Sequence, residues 1–487
     1  MSAQPAFDLP EVQLPHIPPA EFHLRAYGAK GDGQLCTDAF NAAITDCWQH
    51  GGGRVIVPAG CYLTGPVRLR SRVELHLERG AYVLFSRNYD DYPLISTYYE
   101  GYPSIRCTSP LWATDETDIA ITGSGVLDGN GDAWWYVRRW EQTDEMWDYI
   151  LKWRGGLEDN DPKRHVWWPT ERHKIGSNHF IARSSLVNDF QEAEKGKPFY
   201  RPCMVELIRC QRVLLEGVTV QNSPAWSIHA FLCQQLTARA LYVKAPWDAP
   251  NTDGINLECT QHAHVHDCVI DVGDDAICMK AGKNAAGRAI GVPTQYVHVH
   301  DCQVHAAHGG FVLGTETTCS IRNVLVEDCM FTRTDRGLRF KSCYGRGGVI
   351  ENILIRRIRM HNIIKEAVSF IMGRDVAAMP ADAPRDAQGQ FIYAPEDYPV
   401  FRHIAMEDVQ CFGALDALVV RNLSGIAVED VALRHAYLEA FRGISTNGQG
   451  DLALLLEDVR IRKADGDHPA RQIDRLLLTD QVLDNMF

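Results

Sequence analysis

Three aspartates stand in this sequence where carboxylates could share acid–base work. Asn251-Thr252-Asp253-Gly254 is followed 21 and 22 residues after Asp253 by Asp274 and Asp275, within Val272-Gly273-Asp274-Asp275-Ala276. Bringing three carboxylates together is costly, because like charges raise one another's pKa. A structural protein avoids that cost unless a metal neutralises it. An enzyme that needs one protonated and one ionised carboxyl gains from it. Adjacent residues of a straight strand face opposite ways, so Asp274 and Asp275 can share a cleft only at a bend. Gly273 is the residue that permits one. Further along come Ala307-His308-Gly309-Gly310 and then Arg339-Phe340-Lys341. Arg339 and Lys341, two residues apart, share a face. Cations at one end of a cleft and carboxylates in its middle suit a saccharide that carries carboxylates, through charge-assisted hydrogen bonds. Lys280, just after the paired aspartates, reads equally as a contact or as a surface lysine. Each element recurs by chance in other proteins, and a lone His308 is more often a packed or surface residue. The four in this order carry the argument.

The elements that must position these residues come from a repeat. From about residue 205 one phrase returns: β-formers, an acidic or polar pair, then a small apolar residue. Copies are Val265-His266-Asp267-Cys268, Val299-His300-Asp301-Cys302, Val326-Glu327-Asp328-Cys329, Met406-Glu407-Asp408-Val409, Val428-Glu429-Asp430-Val431 and Leu456-Glu457-Asp458-Val459. Asp267, Asp301 and Asp328 are 34 and 27 apart, and Asp408, Asp430 and Asp458 are 22 and 28 apart. Such a period with short alternating strands signals a solenoid. Leucine-rich repeats need a leucine pattern and an asparagine ladder that are missing here, and propeller blades need about forty residues. An all-β, parallel β-helix fits, its coils stacking at about 4.8 Å. Asp253 should then stack beside Asp274 and Asp275, and Arg339 should lie about three coils, on the order of 14 Å, further on. Cys268, Cys302 and Cys329 should line one inward column as core packing, since no metal-ligand spacing accompanies them.

The N-terminal part differs. Phe40, Ala43, Ile44, Cys47 and Trp48 recur at helical spacing between Asp38 and His50, with Thr37 as N-cap and Gly51-Gly52-Gly53 as terminator. A short amphipathic helix there would cover the open end of the solenoid. Strands resume at 54–58 and 73–77. Residues 1–20 read as an N-terminal extension and 21–487 as one catalytic β-helix. The stretch 136–200, with Trp147, Trp153, Trp167 and Trp168, reads as an insertion on one face near the cleft.

With the motifs in place, the sequence resembles glycoside hydrolase family 28, the polygalacturonases, in an exo-acting, bacterial-type form. The family pattern matches Asn251-Thr252-Asp253, Gly273-Asp274-Asp275, His308-Gly309-Gly310 and Arg339-Phe340-Lys341. Similar stretches are Tyr27-Gly28-Ala29-Lys30-Gly31-Asp32-Gly33, Gly125-Val126-Leu127-Asp128-Gly129-Asn130-Gly131 and Asn222-Ser223-Pro224-Ala225-Trp226-Ser227-Ile228-His229. The likeness implies a right-handed parallel β-helix and inverting hydrolysis of α-1,4-linked galacturonic acid, without metal or organic cofactor. It also implies Asp274 as general acid, Asp253 and Asp275 as activators of water, and His308 as the residue that orients the acid. Arg339 and Lys341 would hold a substrate carboxylate. Two positions depart from the pattern. Phe340 replaces an aliphatic residue at a site that should point inward, and Asn256 stands where many relatives carry Asp. Three rivals share the architecture: a rhamnogalacturonan-type hydrolase, a Ca²⁺-dependent lyase and a non-catalytic polysaccharide binder. The Arg339–Lys341 pair speaks against the first and the clustered carboxylates against the last.

Composition bounds the partners. The 487 residues carry 62 acidic and 49 basic side chains, a net charge of −13. That disfavours nucleic acid and anionic membranes, and it leaves capture of an acidic saccharide to local Arg and Lys. No apolar run is long enough for a membrane span. The N-terminus shows no secretory signal, so a cytoplasmic location is expected, and the fifteen cysteines read as buried thiols. Trimming of oligogalacturonides from an end is expected over internal cutting.

Overall fold

The computed structural model describes residues 9–161, 165–183, 189–373, 385–389, 392–422, 425–447, 451–464 and 471–478. Strands dominate, and they pair in parallel from one coil to the next. Val213, Leu236, Ala263, Val297, Val324 and Ile353 occupy one register across successive coils. All six are buried in one continuous core. Among the described residues, 23 strands form one extended sheet and 11 form a second, which is the wall that carries the candidate site. This is the expected parallel β-helix.

The repeated acidic pair has a conformational cause. Asp267, Asp301, Asp328, Asp408, Asp430 and Asp458 all adopt positive φ, between 46° and 55°. Aspartate tolerates this left-handed region better than β-branched or bulky residues, so it marks where each coil turns sharply between strands. The cysteine that follows points inward. Cys268, Cys302 and Cys329 are buried in the core as an unbridged column.

Helix α1 (Thr37–Gln49) buries Phe40, Ala43, Ile44 and Cys47 against the first coils, and Gly51, Gly52 and Gly53 with positive φ end it. The expected cap is displaced by one residue. Cys36 holds the N-cap position without a side-chain bond. The Thr37 hydroxyl instead accepts the Gly65 amide at 2.7 Å, tying the helix to a neighbouring turn. At the far end the last strand, Arg471–Leu478, pairs antiparallel with Asp451–Lys463 and covers that edge.

Two of the additions that interrupt the coils lie early in the chain. One is an antiparallel hairpin of Leu94–Tyr99 and Tyr102–Cys107, which the sequence reading did not foresee. The other spans the expected insertion, where a three-stranded antiparallel sheet and helices Asp144–Trp153, Glu171–Arg183 and Phe190–Lys195 fold together. Trp147 and Trp167 form this insertion's own small core with Val137 and Ile150. Trp147, Trp167 and Trp168 therefore serve packing rather than binding, while Trp140 and Trp153 are left exposed.

Candidate active site

Five consecutive strands of the 11-stranded sheet build the site: β1 (Ile228–Phe231), β2 (Ile255–Glu258), β3 (Asp275–Lys280), β4 (Gly309–Leu313) and β5 (Leu338–Ser342). Their registers align His229, Asn256, Cys278, Val312 and Arg339 in one row. Asp253 lies two residues before β2 and beside Asp275, and the Gly254 amide donates to the Asp275 carbonyl at 2.9 Å.

The paired aspartates reach one cleft because the strand breaks its alternation. Ala276 and Ile277 both enter the core, which turns Asp275 outward with Cys278 and Lys280. Gly273 sits at the bend, but not for its conformational freedom. A Cβ there would lie 2.5 Å from the Ala249 carbonyl oxygen and 2.6 Å from that of Pro246. Close approach of two loops, not a left-handed φ, demands glycine.

The cations reach back toward Asp275. Arg339 Nη1 donates to Asp275 Oδ1 at 2.9 Å, and Lys341 Nζ to Asp275 Oδ2 at 2.6 Å. Arg339 lies three coils beyond Asp253, as counted, and both side chains lean back across the intervening coil to reach Asp275. Phe340 between them packs inward on Phe370. Lys280 is no surface lysine. It is 4% exposed, 3.6 Å from Asp253 and 3.3 Å from Glu316, and 4.7 Å above the Trp226 ring. Asn256 is fully buried with neither amide atom bonded.

These contacts divide the three carboxyls. Burial pushes Asp253 up to about 8, helped by the charge of Asp274. Burial also opposes ionisation of Asp275, but Lys341 and Arg339 outweigh it and hold that carboxyl far below its usual range. For Asp274 burial is again overcome, here by His308, whose Nδ1 lies 3.1 Å from Oδ1. His308 is raised in turn: burial opposes its charge, and the Asp274 contact more than offsets that. At neutral pH the trio holds one proton and two negative charges, the split that acid–base catalysis requires. Because the groups are coupled, that proton belongs to the trio as a whole.

Two cavities meet at this trio. One, of about 410 Å³, is lined by Asp253, Asp274, Asp275, Lys280, Lys341 and Arg346 among others. The second, of about 670 Å³, shares Asp274, His308 and Arg339 and runs out past Trp247, Arg333 and Lys365. The insertion reaches it through Arg138, Trp140 and Glu141. The 94–107 hairpin bounds the smaller cavity. Tyr99 stacks on Trp226 at 4.7 Å, Glu100 lies 3.5 Å from Lys283, and the Tyr102 hydroxyl accepts from Asn284. Glu316, Arg346, Lys283, Trp226 and the hairpin were not singled out from sequence as site residues. Only Trp226 fell in a family-like stretch; the others sit on loops with no repeat spacing to mark them.

A parallel β-helix that gathers divided carboxylates and cations into a cleft is the arrangement of a glycoside hydrolase. Residues 190–371 match the model of glycosyl hydrolases family 28. The chain is 26% identical to a probable polygalacturonase of Vitis vinifera, over 84% of this chain and 73% of that one. It is 30% identical to an exo-poly-alpha-D-galacturonosidase of Dickeya chrysanthemi, over 72% of this chain, which spans about half (56%) of that relative's length. Among solved structures, the hyperthermoactive exopolygalacturonase of Thermotoga maritima superposes with a TM-score of 0.76 at 30% identity, covering 96% of this chain and 97% of that one. The chain belongs to glycosyl hydrolase family 28.

Proposed function

We propose that this enzyme hydrolyses α-1,4-linked galacturonic acid with inversion, removing units from a chain end. The observation that carries this reading is the divided carboxyl trio facing Arg339 and Lys341, cations that a substrate carboxylate can join. Asp274, the most exposed of the three and the one shared by both cavities, gives its proton to the leaving oxygen. Asp275 and Asp253 take a proton from the attacking water on the other side. His308 orients Asp274. Lys280, Arg339 and Lys341 already neutralise the carboxylates, which leaves a calcium ion little reason to bind and supports hydrolysis over lyase chemistry. The hairpin and its Glu100–Lys283 contact support end-trimming, because they bound the smaller cavity.

A second assignment rests on one observation: Asp253, buried and beside Asp274, is the carboxyl of the three that its surroundings push up. In that reading Asp253 is the acid, whereas in the first the proton passes to Asp274 on binding. A galacturonide whose leaving group needs no protonation separates them. Asn at the acid position leaves that substrate turning over, and Asn at the base position does not. The overall function is tested by incubating trigalacturonate in ¹⁸O-water. Monomer with inverted anomeric configuration and solvent ¹⁸O is expected; an unsaturated product absorbing in the ultraviolet would refute hydrolysis.

A further inference from the structure

We propose that His264, His298 and His300 form a binding site for a divalent transition-metal ion of the Zn²⁺, Ni²⁺ or Cu²⁺ type, on the larger sheet and apart from the carboxylate wall. Two adjacent strands, Gln261–His266 and Thr294–His300, carry five histidines, and four of them, His264, His266, His298 and His300, tile together. His264 pairs with His298 and His266 with His300, and their two-residue spacing puts all four on one face. Ring centroids lie 4.3 to 5.1 Å apart. One ligand nitrogen from each of His264, His298 and His300 falls within 4.8 Å of the others, and all three residues are half-buried.

The surroundings prepare the nitrogens for a metal. His300 Nδ1 lies 2.7 Å from Asp301, and His266 Nδ1 lies 2.6 Å from Asp267. A carboxylate that holds the Nδ1 proton leaves Nε2 with a free lone pair, the usual support of a metal-bound imidazole. The His300 Nε2 lone pair meets His264 Nε2 at 2.7 Å, so without metal His264 carries the proton between them. A bound ion takes that proton's place, and His264 stays neutral by carrying its proton on Nδ1 instead. The two nitrogens then separate to about 3.3 Å, the spacing of two ligands each about 2.0 Å from zinc. Burial and then the charge of His266 hold His264 down to about 4, and burial lowers His298 although Glu327 opposes it. For His264 and His298 burial thus favours the neutral, ligating form. Imidazole nitrogen selects this class of ion over Ca²⁺ or Mg²⁺. Beside the tile a cavity of about 340 Å³ is lined by Leu9, Glu11 and Leu14, so the ion would sit under the N-terminal segment.

The test uses the full chain stripped by chelator, with Zn²⁺ or Co²⁺ alone as probe. Calorimetry should give one ion per chain, bound at least about tenfold more weakly in His298→Gln and His300→Gln. Both variants should keep wild-type hydrolysis and, in chelator, the wild-type melting temperature. Co²⁺ should give d–d bands without thiolate charge transfer. Where a substitution lowers the melting temperature, paramagnetic shifts of imidazole protons in the Co²⁺-loaded wild-type chain report the same ligands. Absence of binding, unchanged affinity in both variants, or unshifted imidazole protons would overturn the proposal. So would a thiolate band, which would place the ion at a buried cysteine cluster, either Cys203 with Glu206 and His229 or Cys278 with Asp253 and Asp275.

Discussion

The inner column of Cys268, Cys302 and Cys329 and the outer row of His229, Asn256, Cys278, Val312 and Arg339 are both stacks of equivalent positions in neighbouring coils. In the first, the same residue recurs because each coil presents the same apolar environment to the next. In the second, no residue type repeats from coil to coil, and on the same wall Asp253, Asp275, Lys280 and Arg339 are buried close together. Like stacking on like lets each coil contribute its own increment of stability. Unlike stacking concentrates carboxylates against cations, where a buried charge is tolerated only while its partner stays in place. Chemistry occupies the part of the solenoid where the repeat is broken.

That contrast can be broken at several points. Asp274→Asn should lower kcat on the order of 10³-fold with circular dichroism and melting temperature preserved; near-normal turnover would remove Asp274 from the acid role. Arg339→Ala should destabilise the fold by about 3–5 kcal/mol, since Asp275 would be left buried with one partner fewer; denaturant unfolding measures it. Truncating the inner column is milder. Cys302→Ala should cost about 1 kcal/mol, without changing kcat/KM. The smallest effect belongs to the outer salt bridges, such as Arg402 with Glu351 at 2.8 Å. Arg402→Ala should cost less than about 1 kcal/mol, because the pair is partly exposed and screened.

The pH dependence sharpens the comparison without changing a residue. Asp253 titrates at about 8 in the fold and near the ordinary carboxyl value when unfolded. Between those values the folded state binds the extra proton, so this group's stabilisation is lost as pH rises toward and through 8. Asp275 is shifted the other way, and its contribution is lost only as pH falls below the ordinary carboxyl range. Activity should fall above about pH 8 as the trio loses its proton. His308→Gln should keep that alkaline limb in kcat/KM; its disappearance would assign the limb to His308 instead.

Much of the site was legible because a β-helix turns sequence spacing into axial position. Asp253 and Asp275, one coil apart, had to become neighbours, and Phe340 had to point inward between two outward cations. The period of the Glu/His-Asp phrase fixed the coils because aspartate is suited to the left-handed turn each coil makes. Other features depended on approaches that no spacing records. Lys280 became a partner of Asp253 because Glu316, from a loop 36 residues later, meets it there. Gly273 is glycine because two distant carbonyls crowd it. The hairpin that bounds the smaller cavity belongs to coils far earlier in the chain. Sequence alone determined which carboxylates would stand together, since that follows from a local repeat. Only the tertiary structure decided how far each carboxyl is pushed up or down, because that depends on burial and on charges brought in from remote segments.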